Sequence, residues 1–164
     1  MMGVNKTEAT MLVPGVRVRA ATPDDMPVIR AMVRRERLDP TQLHWRHFCV
    51  AEDVQTGTCV ACGQLRPFWR AQELGSLVVE PSWRGRGVGR AMVRHLAARA
   101  TKPLFLECGA SLVPFYAQCG FKPIAPWRVP FPLNIKFLLS SLVVRLLGGR
   151  LAIMALANGS SERE

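Results

Sequence analysis

The chain has 164 residues, 49% of them apolar and 21% charged, with 22 basic residues against 12 acidic ones and a net charge of +10. That length carries a sizeable core, and the mix excludes a disordered or collagen-like chain. The charge favours an anionic partner without distinguishing nucleic acid, lipid and a phosphate-bearing small molecule.

Residues 1–15 read as a loose leader. Their apolar run, Met11–Val13, stops at Pro14 and makes no signal-peptide core, so a cytoplasmic setting is expected, with the five cysteines as free thiols. "VRVRAA", Val16 to Ala21, alternates like an edge strand. Thr22, Pro23, Asp24 and Asp25 then supply an N-cap, a first-turn proline and two acids for the positive end of a helix. Met26, Ile29, Met32 and Val33 continue at helical spacing. "RHFCVAED" and "GTCVACGQLRPF" predict two strands joined by a turn near Gln55–Gly57.

"ELGSLVVE" predicts a further strand closed by Pro81, and Val88 to Ala100 a helix with Val88, Met92, Val93, Leu96 and Ala97 on one face. "KPLFLECG" reads as a buried strand, "LVPFYAQCG" as a short helix stopped at Gly120, and "FKPIAP" as a short strand. Ile135 to Leu147 predicts a last helix stopped by Gly148–Gly149, followed by the strand "RLAIMALA" and a polar tail at 158–164. This last helix is apolar, but the longest uncharged stretch before Arg145 runs only from Phe137 to Val144. A spanning helix needs about 20 residues, so no integral membrane segment is expected; a core helix is the reading, with an amphipathic surface helix as its alternative.

The stretch "VVEPSWRGRGVGR", Val78 to Arg90, carries the chemistry. It lies between a predicted strand and a predicted helix. Its glycines at 85, 87 and 89 miss the G-x-G-x-x-G spacing of a dinucleotide turn, and Arg90–Ala91 replace the Lys-Ser/Thr of a P-loop. What remains, Arg84-Gly85-Arg86-Gly87-Val88-Gly89, suits an anion. Absent side chains let successive N–H groups converge on phosphate oxygens, and the helix start adds unpaired N–H groups and the positive end of its dipole. A glycine-rich turn with solvated arginines is the plain alternative.

These residues resemble the acyl-CoA motif of the GNAT superfamily of N-acyltransferases. "LVPFYAQCGFKPI" is similar to the family's later helix and strand, with Tyr116 shortly before Gly120 and Phe121, and "VRVRAATPDDMPVIRAMV" to its opening strand and helix. The resemblance implies one α/β domain over 16–157, with a mixed, mostly antiparallel sheet flanked by helices. It implies acetyl-CoA as co-substrate, no metal, and direct attack of a primary amine on the thioester. Gly85 to Arg90, with Arg84, would grip the cofactor's pyrophosphate. Leu77, Val78 and Val79 would pair with the pantetheine arm and offer an oxyanion donor, with Gly75 marking a bulge. Tyr116 would protonate the leaving sulfur, its alternative being a core tyrosine hydrogen-bonded at a helix end. Glu73 would be the base, against a solvated strand-end carboxylate, and Glu107 is the second choice. The family's asparagine about seven residues before the tyrosine is Gly109 here, with Ser111 as a substitute.

The resemblance further implies a small-molecule acceptor such as an amino acid, with a protein or peptide amine as runner-up and a homodimer left open. A basic RNA- or membrane-binding module without turnover is the alternative from another class; no nucleic-acid partner is expected of the enzyme. His44, Trp45, Arg46 and His47 fall in the region implied to border the acceptor, although plain surface packing weighs more. "CVAC", Cys59 to Cys62, invites a metal, but residues three apart on a strand point to opposite faces, so both are expected to pack as small apolar groups.

Overall fold

The computed structural model describes residues 9–157. Its eight strands have the order β1-β2-β3-β4-β5-β6-β8-β7 and are antiparallel in every recorded ladder except β5 with β6. This is the mixed, mostly antiparallel sheet with flanking helices that was expected. The chain divides into two compact units, one running to Gln64 and resuming at Ser76–Leu96, the other comprising Leu65–Gly75 and the chain from Ala97 onward.

The first unit begins with β1 (Thr10–Val13), paired antiparallel with β2 (Val16–Ala20) across a turn in which Gly15 takes φ +79°. Two expectations fail here. Residues 10–13 are a strand rather than a loose leader, and β2 is interior, because β1 covers its outer side. Residues 1–8 of that leader, and the tail at 158–164, lie outside the described residues. Helix α1 (Met26–Arg35) follows a short turn in which the Thr22 amide and hydroxyl donate to Asp25. Its buried residues Met26, Ile29, Met32 and Val33 pack on Phe48 and Val50 of β3 (Phe48–Asp53), Cys62 of β4 (Cys59–Pro67) and Val78 of β5 (Gln72–Val79). Arg19 ties this packing together by pairing with both Asp25 and Glu52. Helix α2 (Val88–Arg99) buries Val88, Met92, Val93 and Leu96, the face anticipated for it.

The β3–β4 ladder slips by one residue between Ala51, opposite Ala61, and Glu52, opposite Cys59. Val60 is therefore an extra residue, and the alternation of side chains resets across it. Cys59 and Cys62 consequently join the same apolar cluster instead of facing opposite ways. Both are free thiols whose pKa burial raises, Cys59 to about 11, so they pack as apolar groups as expected.

In the second unit β6 (Leu104–Gly109) pairs antiparallel with β8 (Leu151–Leu156), which also pairs with β7 (Phe121–Pro123). The short helix α3 (Val113–Ala117) precedes β7, and α4 (Leu133–Leu146) lies between β7 and β8. Ala71, Phe105, Val129, Leu133, Phe137 and Ile153 form the core. Gly148 ends α4 at φ +81°, and the Gly149 amide returns to the Val144 carbonyl at 2.9 Å, so the two glycines stop the helix as its sequence predicts.

Candidate active site

The glycine loop belongs to the first unit. Gly85 and Gly87 sit at φ +74° and +81°, and a Cβ built on either meets no atom within 4 Å. Packing therefore does not require glycine at these positions. The left-handed backbone does, and bare main chain is left facing open space. Among the described residues, no backbone carbonyl accepts from the amides of Gly85, Arg86 or Gly87. The first turn of α2 closes with the Ala91 amide on the Gly87 carbonyl at 3.0 Å, so the helix's own unpaired amides adjoin the loop. Val88 is buried, which anchors the helix start in the core and leaves only its main chain for a ligand.

The arginines divide by role. Arg84 donates from Nε to the Val79 carbonyl at 3.0 Å and from Nη2 to Glu36 at 2.7 Å. It clips the loop to the end of β5 and to the residue that ends α1, so it supports the loop and is not a cation held out for pyrophosphate. The same bond takes one of the two lone pairs of the Val79 carbonyl. Arg86 lies over Trp83, 4.8 Å from the ring centroid, while remaining exposed, and Arg90 is exposed on the first turn of α2. Val78 is buried with its side chain in the core; Leu77 and Val79 are half-buried.

Within β5 the residue with left-handed backbone is Ser76, at φ +50°, not Gly75. A serine bears that strain because its hydroxyl accepts from Gln64 Nε2 at 2.9 Å, both residues being buried. The ladder of β5 with β6 covers Gln72 opposite Leu104 and Glu73 opposite Phe105, and among the described residues extends no further. Gly75 serves a different purpose: a Cβ there would come within 3.3 Å of the Arg66 guanidinium.

That guanidinium explains Glu73. In the second unit Arg66 Nη1 donates to Glu73 Oε2 at 3.0 Å, and Lys136 of α4 donates to both carboxylate oxygens, at 2.5 and 2.7 Å. Glu73 is 4% exposed, and both its oxygens are engaged by cations. An arriving ammonium would have to displace one of them. The glutamate expected to be the base is the centre of an ion triad, and it is not a solvated strand-end carboxylate. Sequence reading passed over Arg66 and Lys136; the one available signal was a lone lysine beside the uncharged run Phe137–Val144.

Glu107 differs from Glu73 in each respect. Burial pushes its pKa up to about 7, with the Glu73 charge adding to the rise and Lys136, Ser140 and Ser141 opposing it. Its Oε2 is enclosed and has no hydrogen-bond partner among the described residues. A carboxyl poised near neutrality with an unused lone pair is equipped to take a proton.

Tyr116, on α3, is 8% exposed, with its ring edge-on to Phe115 and Phe121 at centroid separations of 5.0 and 6.1 Å. Burial raises its pKa, so the phenol stays protonated at neutral pH. Its hydroxyl makes no hydrogen bond to a described residue, contrary to the alternative of a tyrosine bonded at a helix end. A Cβ on Gly109 would lie 4.0 Å from Ser111 Oγ, so the serine hydroxyl occupies space beside the position of the missing asparagine.

His44 has a local role. Its Nδ1 accepts from the Arg46 amide at 3.3 Å, and its ring stacks on Trp45 and tilts against His47. Among the described residues no group of three His, Cys, Asp or Glu side chains could hold a metal ion.

The family "Acetyltransferase (GNAT) domain" matches residues 44–123, the segment from His44 through the glycine loop and Tyr116 to the end of β7. A Mycobacterium tuberculosis protein, Rv2747, solved in complex with CoA and NLQ, superposes with a TM-score of 0.71 at 26% identity, over 86% of this chain and 98% of that one. The chain has the GNAT fold. N-acetylglutamate synthase from Neisseria gonorrhoeae, complexed with coenzyme A and N-acetyl-glutamate, shares the fold at a TM-score of 0.72 and 20% identity, over 87% of this chain and 35% of that one. Glucosamine 6-phosphate N-acetyltransferase 1 from Oryza sativa subsp. japonica is 35% identical over 83 residues, 44% of this chain and 50% of that protein. The chain thus spans about half the length of that curated relative.

Proposed function

We propose that this GNAT chain is an acetyl-CoA-dependent N-acetyltransferase acting on the primary amine of a small molecule, an amino acid being the first candidate. The observation that carries the reading is the pair of left-handed glycines, Gly85 and Gly87, whose unpaired amides face open space at the start of α2. Such amides are suited to a diphosphate. The bound CoA of the Mycobacterium tuberculosis protein, alike over most of both chains, supports the same ligand here.

The roles follow from the side chains. Amides from Gly85 to Gly89 hold the diphosphate, with Arg86 and Arg90 adding charge. Glu107 takes a proton from the acceptor ammonium, so that the neutral amine attacks the thioester carbonyl. The new C–N bond forms, the C–S bond breaks, and the electron pair leaves on sulfur. Tyr116, kept protonated by its burial, donates to that sulfur and is reprotonated by the second proton, which the attacking nitrogen sheds as it becomes an amide. Backbone N–H groups at Leu77–Val79 are the candidates for steadying the oxyanion.

The test is melting with and without acetyl-CoA, followed by thiol release with amino acids, amino sugars, polyamines and peptides as acceptors. Acetyl-CoA is expected to raise the melting temperature of the wild type. Gly87→Val, which puts a branched side chain on left-handed backbone and over the amides, is expected to weaken the cofactor by about tenfold or more. A protein indifferent to acetyl-CoA would overturn the proposal. Turnover with peptides alone would move the acceptor to the protein class.

A further inference from the structure

Helix α4 is inverted. A surface helix ordinarily turns its apolar stripe inward and its polar residues to water. Here Lys136 reaches inward to Glu73, and Ser140 and Ser141 interact with Glu107. The outward face is Ile135, Leu138, Leu139, Leu142, Val143 and Leu146, between 45% and 78% exposed. At 100° per residue, Ile135, Leu138, Leu139, Leu142 and Leu146 form one continuous stripe. Only Leu133 and Phe137 of the helix are buried, so more of its apolar surface faces outward than inward. Two aromatic residues just before it, Trp127 and Phe131, are 83% and 66% exposed.

The charges in this stretch of the chain have one sign. Between Glu107 and Glu162 the sequence contains no acidic residue, while Lys122, Arg128, Lys136, Arg145 and Arg150 fall within that interval. Arg145 lies on the border of the stripe, two helical turns beyond Leu138. Arg145 and Arg150, with Ser141, Gly148, Gly149 and Leu151, line an open pocket of about 600 Å³ at the C-terminal end of α4. Two guanidiniums in a polar pocket beside an apolar face suit a phosphate joined to acyl chains. A symmetric contact with a second copy would set these same arginines against each other with no acid in this stretch of the chain to offset them. No helix among the described residues is long and apolar enough to cross a membrane, and the 14 residues of α4 extend about 21 Å, shorter than a bilayer core.

We infer that the outward face of α4 docks flat on an anionic phospholipid surface, with its leucines in the acyl boundary, Trp127 and Phe131 at headgroup level, and Arg145 and Arg150 on lipid phosphates. The inference is independent of the acetyltransferase reading, and its test uses no acetyl-CoA.

The full chain is mixed with vesicles of phosphatidylcholine alone and with vesicles in which roughly a third of the lipid is phosphatidylglycerol. It is expected to sediment with the anionic vesicles, about tenfold or more weakly with the neutral ones, and less as salt rises. Leu142→Glu with Leu146→Glu, both at exposed positions, is expected to abolish sedimentation without lowering the melting temperature. Arg145→Glu with Arg150→Glu is expected to weaken it on anionic vesicles only. Should the leucine variant fail to fold, brominated phospholipid in the anionic vesicles keeps the question open to measurement. It should quench the tryptophan emission of the wild type, and quench less in Trp127→Phe. Absence of sedimentation with anionic vesicles would overturn the inference. So would sedimentation undiminished in a folded leucine variant, or a dimer in light scattering that the leucine substitutions disperse, which would give the face to a second copy.

Discussion

Glu73 and Glu107 show how surroundings assign different work to the same side chain. Glu73 has two cations on its carboxylate and Glu107 has an enclosed oxygen with none. With Glu107 as the base, the rate should rise as pH climbs through about 7. Glu107→Gln should remove that inflection and lower kcat by about 100-fold; pH–rate profiles of the two proteins check it. Stability should move the opposite way. The folded chain binds this proton more tightly than the unfolded one, so the contribution is complete below the ordinary carboxyl range. It is lost as pH rises through about 7. Melting curves from acid to neutral pH should therefore slope less in Glu107→Gln than in the wild type. Tyr116→Phe keeps the ring between Phe115 and Phe121 and removes only the donor. It should lower kcat by about 100-fold while acetyl-CoA affinity, read by calorimetry, holds.

At the scale of elements, β4 and β5 owe their details to single residues that propensity does not describe. The extra residue at Val60 turns Cys59 toward Cys62, and Ser76 rather than a glycine takes the left-handed position. Gly75 is bare because Arg66 lies against it on the way to Glu73. The triad that results ties α4 to β4 and β5 inside the second unit. Removing its anion leaves the buried Arg66 and the part-buried Lys136 facing a neutral amide, a loss of about 3–5 kcal/mol. Glu73→Gln should accordingly lower the denaturation midpoint sharply, while the kcat of the protein that remains folded is preserved. A Glu73→Gln protein of wild-type stability that turns over slowly would return Glu73 to the role of base.

For the whole molecule, acetyl-CoA at about 100 times its dissociation constant should add about 2.7 kcal/mol, or roughly 5–10 °C in melting temperature for a chain of this size. Differential scanning fluorimetry across a cofactor series checks that value. The order of helices and strands and the glycine loop were legible in the sequence because each rests on local rules, and the GNAT fold was legible through the resemblance those residues carry. Helical spacing marks α1 and α2, Gly120 and Gly148–Gly149 stop their helices, and Gly85 and Gly87 announce backbone that only glycine adopts readily. The strand at Thr10–Val13 was missed because four residues with no strict alternation give no periodic signal; it forms by pairing with β2.

The sequence by itself marked the glycine loop as the candidate anion site, since amides cleared of side chains at a helix start need no distant partner to be recognised. Only the tertiary structure decided which glutamate is held by cations and which way α4 faces. Both depend on residues far apart in the chain: Arg66 and Lys136 converge on Glu73, and Lys136, Ser140 and Ser141 of α4 act on Glu107. A carboxylate's proton affinity and a helix's buried side are properties of those neighbours, and one-dimensional spacing does not encode them.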